Sequence, residues 1–372
     1  SEITPPPRVQ VSAVPGQEYV LVDLLKEWCI DPQFCQGLSR RWRCELVDLA
    51  ETAEKQAQLL FAGIPFFAPT SHSSGVHEAV GRDALAFVTD PKHGAWTKPK
   101  VAFAGGWGAP GTPLVHAEDF TLVESIQELL DDDRPLNLQM FHRDGDAFPP
   151  LPKLLDWPLP SLLDGDGKLG VHLDMATRVS RQWALTWWHL DDGGEIVYQT
   201  AAPLADEKLN GPVIVGPRGN PVVKLFVIFP KESYDLVCQD VTTNRTGKFS
   251  HLDIFNTPSE FLPEPLEGEP DPLPRIQLAL LEAGGPPLVL QPNVPHAVLT
   301  TQTCVMTEHR KAFKHLLDES VYFLRRAAVW KEPPIIYDFL SKDLHKAEYV
   351  AAELVPPLAQ ILGAGHAPTL AH

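Results

Sequence analysis

Trp183-Ala184-Leu185-Thr186-Trp187-Trp188-His189-Leu190-Asp191 is an apolar, β-prone run that closes on a histidine and a carboxylate two positions apart. Similar short runs recur at 136–141, 169–174, 182–190, 195–200, 222–229, 234–239, 286–291 and 297–305, separated by loops rich in Pro, Gly and Asp. Evenly spaced short strands broken by turn residues are the pattern of a sandwich or barrel. No helical segments of roughly 10–15 residues alternate with them, which argues against a doubly wound parallel sheet.

Outside this region the periodicity changes. Helices are predicted over 18–30 and over 45–62, where Leu46, Leu49, Ala50, Ala53, Ala57 and Leu60 recur at helical spacing. Residues 64–117 read as loops around a strand at 100–104, and Thr121 reads as the cap of a short helix ending at Asp131. After 308, Phe313, Leu316, Leu317, Ser320, Leu324 and Ala327 mark one helical face. A last helix is predicted over 344–362, apolar enough to dock or to form a homodimer. The expectation is a mainly β protein with flanking α: an N-terminal helical and loop region (1–135), a β-barrel (136–307) and C-terminal helices (308–372).

The chemistry begins with His189 and Asp191. On a strand, residues i and i+2 project from one side, so the two offer a pair of metal ligands. His-x-acid occurs five times (His116/Glu118, His142/Asp144, His172/Asp174, His189/Asp191, His251/Asp253), and chance alone accounts for about two of them among 14 histidines and 48 acids in 372 residues. Surroundings have to choose between them. A mononuclear Fe(II) site that uses O2 needs two imidazoles and one carboxylate on one octahedral face. A bound dicarboxylate co-substrate needs in addition a buried cation and a hydroxyl for its far end. Only the His189 copy brings these parts. Thr186 stands three residues ahead. Lys224 is the one polar residue of Val222-Val223-Lys224-Leu225-Phe226-Val227-Ile228-Phe229-Pro230. His296 follows the Gly284-Gly285 strand and the turn Pro292-Asn293-Val294-Pro295. The bland alternatives are a surface His/Asp pair, a turn histidine, a lysine snorkelling to an edge, and Trp183, Trp187 and Trp188 as core rather than pocket.

Together, Thr-x-x-His-x-Asp, Lys-x-x-x-x-Phe-Pro and Pro-x-x-x-His resemble the JmjC-type, cupin-like Fe(II)/2-oxoglutarate oxygenases over roughly 136–306. The resemblance implies a double-stranded β-helix (jelly-roll) and Fe(II) held by His189, Asp191 and His296. It also implies 2-oxoglutarate paired through its distal carboxylate with Lys224 and hydrogen-bonded by Thr186, and O2 as co-substrate. The expected reaction hydroxylates a protein side chain, or removes an N-methyl group by way of hydroxylation. The alternatives are a non-catalytic scaffold on the same fold and an oxygenase of small molecules or nucleic-acid bases. The chain departs from the family pattern in several places. Lys224 follows His189 by 224 − 189 = 35 residues, a wide interval that makes 201–220 look like an insertion near the barrel mouth. The family's upstream tyrosine has no match, its strand carrying Asn137 and Gln139. Strand parity also sets Thr186 opposite His189, so a bulge or twist must lie between them.

Composition bounds the partners. The 372 residues carry 31 basic and 48 acidic side chains, a net charge of −17. That balance disfavours a broad nucleic-acid or anionic-membrane surface and suits a basic peptide substrate such as a histone tail or ribosomal segment. Hydrophobic residues, at 44%, suffice for a core, while 37 prolines demand many turns. No apolar run approaches the roughly 18 residues of a membrane span. The five cysteines (Cys29, Cys35, Cys44, Cys238, Cys304) form no CxxC pair, so neither a disulfide framework nor a structural zinc is indicated. With a Pro-rich start lacking the features of a signal peptide, the expected setting is intracellular, nucleus or cytoplasm.

Overall fold

Val222-Val223-Lys224-Leu225-Phe226-Val227-Ile228 is buried along its whole length. A strand covered on one face alternates apolar with polar; a strand covered on both reads as an unbroken apolar run. The sheet that contains this one must therefore be sandwiched. The structure, a computed structural model, describes residues 6–30, 42–69, 100–106, 115–123, 126–131, 134–142, 170–189, 196–203, 211–229, 275–291, 294 and 296–313.

In chain order the elements are β1 (Arg8–Gln10), β2 (Tyr19–Val20), α1 (Leu21–Glu27), β3 (Arg43–Leu46), α2 (Ala53–Ala62), β4 (Phe66–Phe67), β5 (Lys100–Gly106) and β6 (Val115–Val123). Then come α3 (Ile126–Asp131), β7 (Leu136–His142), β8 (Gly170–Ser180), β9 (Leu185–His189), β10 (Ile196–Pro203) and β11 (Val213–Val215). The last are β12 (Val222–Ile228), β13 (Ile276–Glu282), β14 (Leu288–Leu290), β15 (His296–Thr300) and β16 (Cys304–Phe313). The chain is mainly β. An eight-stranded sheet has the order β4-β14-β10-β16-β8-β7-β5-β6, and a six-stranded sheet the order β2-β3-β13-β12-β15-β9. From β8 onward the chain crosses repeatedly between them: β8, β10, β14 and β16 lie in the larger sheet, β9, β12, β13 and β15 in the smaller.

The six-stranded sheet has two apolar faces. Phe226, Ile228, Ala279, Leu281 and Val298 point toward the larger sheet and pack on Leu288, Leu290, Cys304 and Met306. Leu225, Val227, Ile276, Leu278, Leu280 and Leu299 point the other way, onto Leu21, Leu24, Leu25, Trp28 and Trp42 of the N-terminal segment. Helix α1 thus presents a leucine stripe to this sheet, and Trp42 meets Phe229 edge-on at 5.7 Å. Each such fully buried side chain contributes roughly 1.5–3 kcal/mol of transfer free energy. No strand pairing closes the two sheets into a barrel among the described residues.

Several local expectations change. The helix expected over 45–62 occupies only Ala53–Ala62, capped by Thr52 accepting from the Lys55 amide. Residues 43–46 pair instead with β13, where Cys44 and Leu46 fill the outer core. Thr121 caps no helix: it sits in β6 opposite Ala102, and helix begins at Ile126. The helix expected after 308 yields to β16, which continues to Phe313 along β8 and β10. Strand β13 was not expected at all. The strand expected at 234–239, the helices expected beyond 313 and their proposed dimer contact lie outside the described residues. No helix among the described residues is long and apolar enough to cross a membrane.

Candidate functional site

His296 opens β15, and its register partner across the antiparallel pair is His189, the last residue of β9. Opposed positions in such a pair have Cα atoms about 4.5–5.5 Å apart. Two imidazole-bearing positions 107 residues apart in the chain (296 − 189) are thereby neighbours. The next pairing is Val298 with Thr186, so β15 advances two residues while β9 advances three. One residue is extra on β9, a bulge, and it returns positions 186 and 189 to the same parity. His296 is buried, 1% exposed, and its Nδ1–H donates to the Val294 carbonyl at 2.9 Å. That bond fixes the tautomer and puts the lone pair on Nε2, the usual arrangement behind a metal-ligating imidazole. Asp191 lies outside the described residues. Among the described residues no three His, Cys, Asp or Glu side chains gather as a metal cluster.

The register continues across the sheet. His296 faces Ile228, Ile228 faces Gln277, and Gln277 faces Glu45, so one row runs His189, His296, Ile228, Gln277, Glu45 over five strands. Gln277 is 7% exposed and its Oε1 has no hydrogen-bond partner among the described residues. At the other end of β15, Thr300 faces Lys224. The two ends of the strand are about 13 Å apart at roughly 3.3 Å per residue.

Lys224 is fully buried. Its ammonium donates to Ser180 Oγ at 2.8 Å and to Thr300 Oγ1 at 3.1 Å. Ser180 donates onward to Asn137 Oδ1 at 2.8 Å, and Asn137 Nδ2 donates to Thr186 Oγ1, also at 2.8 Å. Arg178 Nη1 donates to the same Thr186 oxygen at 3.3 Å, while its Nη2 pairs with Glu308 at 3.0 Å. The chain of donation therefore runs from two cations toward Thr186. A hydroxyl that accepts twice keeps its proton for a further acceptor, and Lys224 keeps a third N–H.

Burial pushes the Lys224 ammonium down to about 8, with Arg178 acting in the same sense and Cys304 and Glu308 opposing. Among the described residues no carboxylate lies within ion-pair distance of Lys224, and the nearby acid Glu308 is engaged by Arg178. Among the described residues, the buried group of Lys224, Arg178 and Glu308 carries two cations and one anion. Such a group is costly until a second anion joins it.

The structure thus brings Lys224 and Thr186 into one polar chain and sets His189 beside His296 in register. Asn137, noted in sequence only as standing where a tyrosine was expected, links the first two. Arg178, Ser180, Thr300 and Glu308 were missed: Arg178, Ser180 and Glu308 lie beyond the strands expected at 169–174 and 297–305, which run on to Ser180 and Phe313. Trp183 packs against the outer core beside α1, and its backbone N–H donates to Thr300 O, so it serves the turn between β8 and β9. Of the expected insertion at 201–220, Ala201–Pro203 instead complete β10 and pair with β16, and the other described residues, 211–220, are tied to the N-terminal segment and to β13. Strand β11 pairs with β1, and buried Glu282 accepts from the Arg218 and Asn220 backbone amides at 3.2 and 3.1 Å. Compared with known proteins, the chain matches no family model and no curated protein.

Proposed function

We propose that this protein is an Fe(II)- and 2-oxoglutarate-dependent oxygenase of JmjC type, and that β8–β10 and β12–β16 form a double-stranded β-helix. Supporting the fold is the strand order, β8-β16-β10-β14 facing β9-β15-β12-β13, with the chain alternating between the sheets from β8 to β16 except at the β12–β13 pair, a two-sheet arrangement of jelly-roll type. The observation that carries the function is Lys224: a fully buried ammonium held by two hydroxyls, with a third N–H to give and no carboxylate to receive it among the described residues. The distal carboxylate of 2-oxoglutarate is the anion it suits, and the Thr186 hydroxyl is the second donor.

His189, Asp191 and His296 would hold the metal. The donor types fit, since two imidazoles and a carboxylate are the facial set of non-haem Fe(II), and the Nδ1–H bond of His296 to Val294 favours ligation through Nε2. When bound, the ion couples oxidative decarboxylation of 2-oxoglutarate, giving succinate and CO2, to insertion of one oxygen atom from O2 into a substrate C–H bond. The chain's own work is to orient and to keep the site dry. Lys224 neutralises the far carboxylate, Thr186 fixes its rotation, and Phe226 with Val298 forms the apolar wall between the two ends of β15. The substrate suited to a chain of net charge −17 is a basic protein segment.

Anaerobic addition of Fe(II) and 2-oxoglutarate should give a weak visible charge-transfer band in the wild type that is missing in His189→Ala and in His296→Ala. A metal-loaded wild type with no band would favour a non-catalytic scaffold instead. Succinate release stimulated equally by methylated and unmethylated peptides would assign hydroxylation over demethylation.

A further inference from the structure

A guanidinium that only tied β8 to β16 would spend its donors on Glu308. Arg178 divides them. Nη2 pairs with Glu308, Nη1 donates to Thr186, and Nε is buried with no hydrogen-bond partner among the described residues. The two side chains of the ion pair are 8% and 2% exposed, so the arrangement is held in a low-dielectric interior. Thr186 already accepts from Asn137, so the bond from Arg178 is redundant for satisfying that oxygen. Its effect is directional: with both lone pairs occupied, Thr186 has only its proton to offer.

We propose that Arg178, anchored by Glu308, is a positioning residue that makes Thr186 an obligate donor, so that the interior site selects a carboxylate over its uncharged amide. The proposal rests on the 2-oxoglutarate reading and deepens it. Three parts cooperate in it. Glu308 holds the guanidinium plane and cancels its charge, leaving Lys224 as the charge that the ligand neutralises. Arg178 and Asn137 together close the acceptor side of Thr186. The Arg178 Nε–H, buried and without a hydrogen-bond partner among the described residues, leaves the guanidinium one donor in reserve. An amide nitrogen at the ligand's far end would meet the Lys224 and Thr186 donors with another donor, and a site of like-signed donors rejects it.

The test is anaerobic titration of the charge-transfer band with 2-oxoglutarate and with its C5 amide, beside a titration of Fe(II) alone. The proteins are wild type, Arg178→Gln, Thr186→Val and the combined Arg178→Gln/Thr186→Val. Because Arg178→Gln leaves Glu308 buried without its partner, the neutral pair Arg178→Gln/Glu308→Gln is included to keep the interior charge unchanged. Expected for both Arg178 variants are a loss of 2-oxoglutarate affinity of about tenfold or more, reduced discrimination against the amide, and unchanged Fe(II) affinity. Adding Thr186→Val should then cost less than about threefold, since the two residues act as a unit. Wild-type affinity and discrimination in Arg178→Gln/Glu308→Gln would overturn the inference while leaving the oxygenase reading intact. So would losses that simply multiply, or Fe(II) affinity falling in parallel. A wild type that takes up Fe(II) but shows no response to 2-oxoglutarate sinks both.

Discussion

Lys224 and Ser180 belong to different sheets, and the lysine ammonium donates to the serine hydroxyl at 2.8 Å across the space between them. Every neighbouring inward position on β12 is apolar, Phe226 and Ile228 included. A charged group in that layer is a liability to folding, and a protein that keeps it does so for something other than stability. Replacing Lys224 by Met fills similar volume without the charge. We expect Lys224→Met to raise stability at pH 7 by about 1–3 kcal/mol in urea denaturation while 2-oxoglutarate binding is lost and Fe(II) binding is kept. A variant less stable than wild type would mean that the ammonium is already neutralised in the folded chain.

The same residue gives a pH dependence whose sign follows from burial. The folded ammonium is depressed from 10.5 to about 8, so between those values the unfolded chain retains a proton that the folded chain has released. Stability then rises with pH across that window, and the cost of the buried charge, about 3 kcal/mol from the size of the shift, is fully present below it. The stability gap between wild type and Lys224→Met should shrink as pH goes from 8 to 10.5. Ligand affinity goes the other way: a carboxylate needs the charged lysine, so 2-oxoglutarate binding should weaken above pH 8. Calorimetric titration in two buffers of different ionisation enthalpy would show proton uptake on binding near that pH; binding without proton exchange speaks against the assignment.

The legible parts of this chain were those in which one residue violates its surroundings. Lys224 in an apolar run and His296 after a double-proline turn were visible because local packing offers no reason for them. The bulge between Thr186 and His189 was deducible for the same reason, since two residues three apart cannot share a strand face without one. What sequence hid was set by partners far along the chain. Arg178 and Glu308 fall beyond the strands expected at 169–174 and 297–305, and only the pairing of the longer β8 with β16 brings them together in the interior. Residues 45–52 carry helical spacing, yet Cys44 and Leu46 are claimed by the outer core and the segment pairs with β13. Strand β13 itself, Ile276-Gln277-Leu278-Ala279-Leu280-Leu281-Glu282, is buried on both faces, and a short apolar run of that kind has no period by which to be told from helix.

Gly216 has a reason of its own to be glycine. A Cβ there would stand 2.3 Å from Glu282 Cδ, in the turn where that buried carboxylate collects the Arg218 and Asn220 amides. Gly216→Ala must displace Glu282 or open the turn, and a loss of roughly 1–3 kcal/mol is expected. Pairing it with Glu282→Ala, which removes the obstructing atoms, should recover part of that loss. Strictly additive losses would show that the contact between these two residues is not what limits the turn.

Gln277 offers the opposite case, a buried polar group whose removal should help. It lies in the row of His189 and His296, separated from His296 by Ile228, and its carbonyl oxygen has no donor among the described residues. An unsatisfied buried acceptor costs about 1–3 kcal/mol, and Leu has nearly the same volume with no such demand. Gln277→Leu should therefore gain stability of that order in urea. Binding of 2-oxoglutarate should stay at the wild-type level, because Lys224 and Thr186 sit on other rows of the sheet. A drop in stability would mean that the amide finds a donor in the folded protein. A gain in stability together with weakened 2-oxoglutarate binding would move the ligand toward the His296 end of β15, away from Lys224.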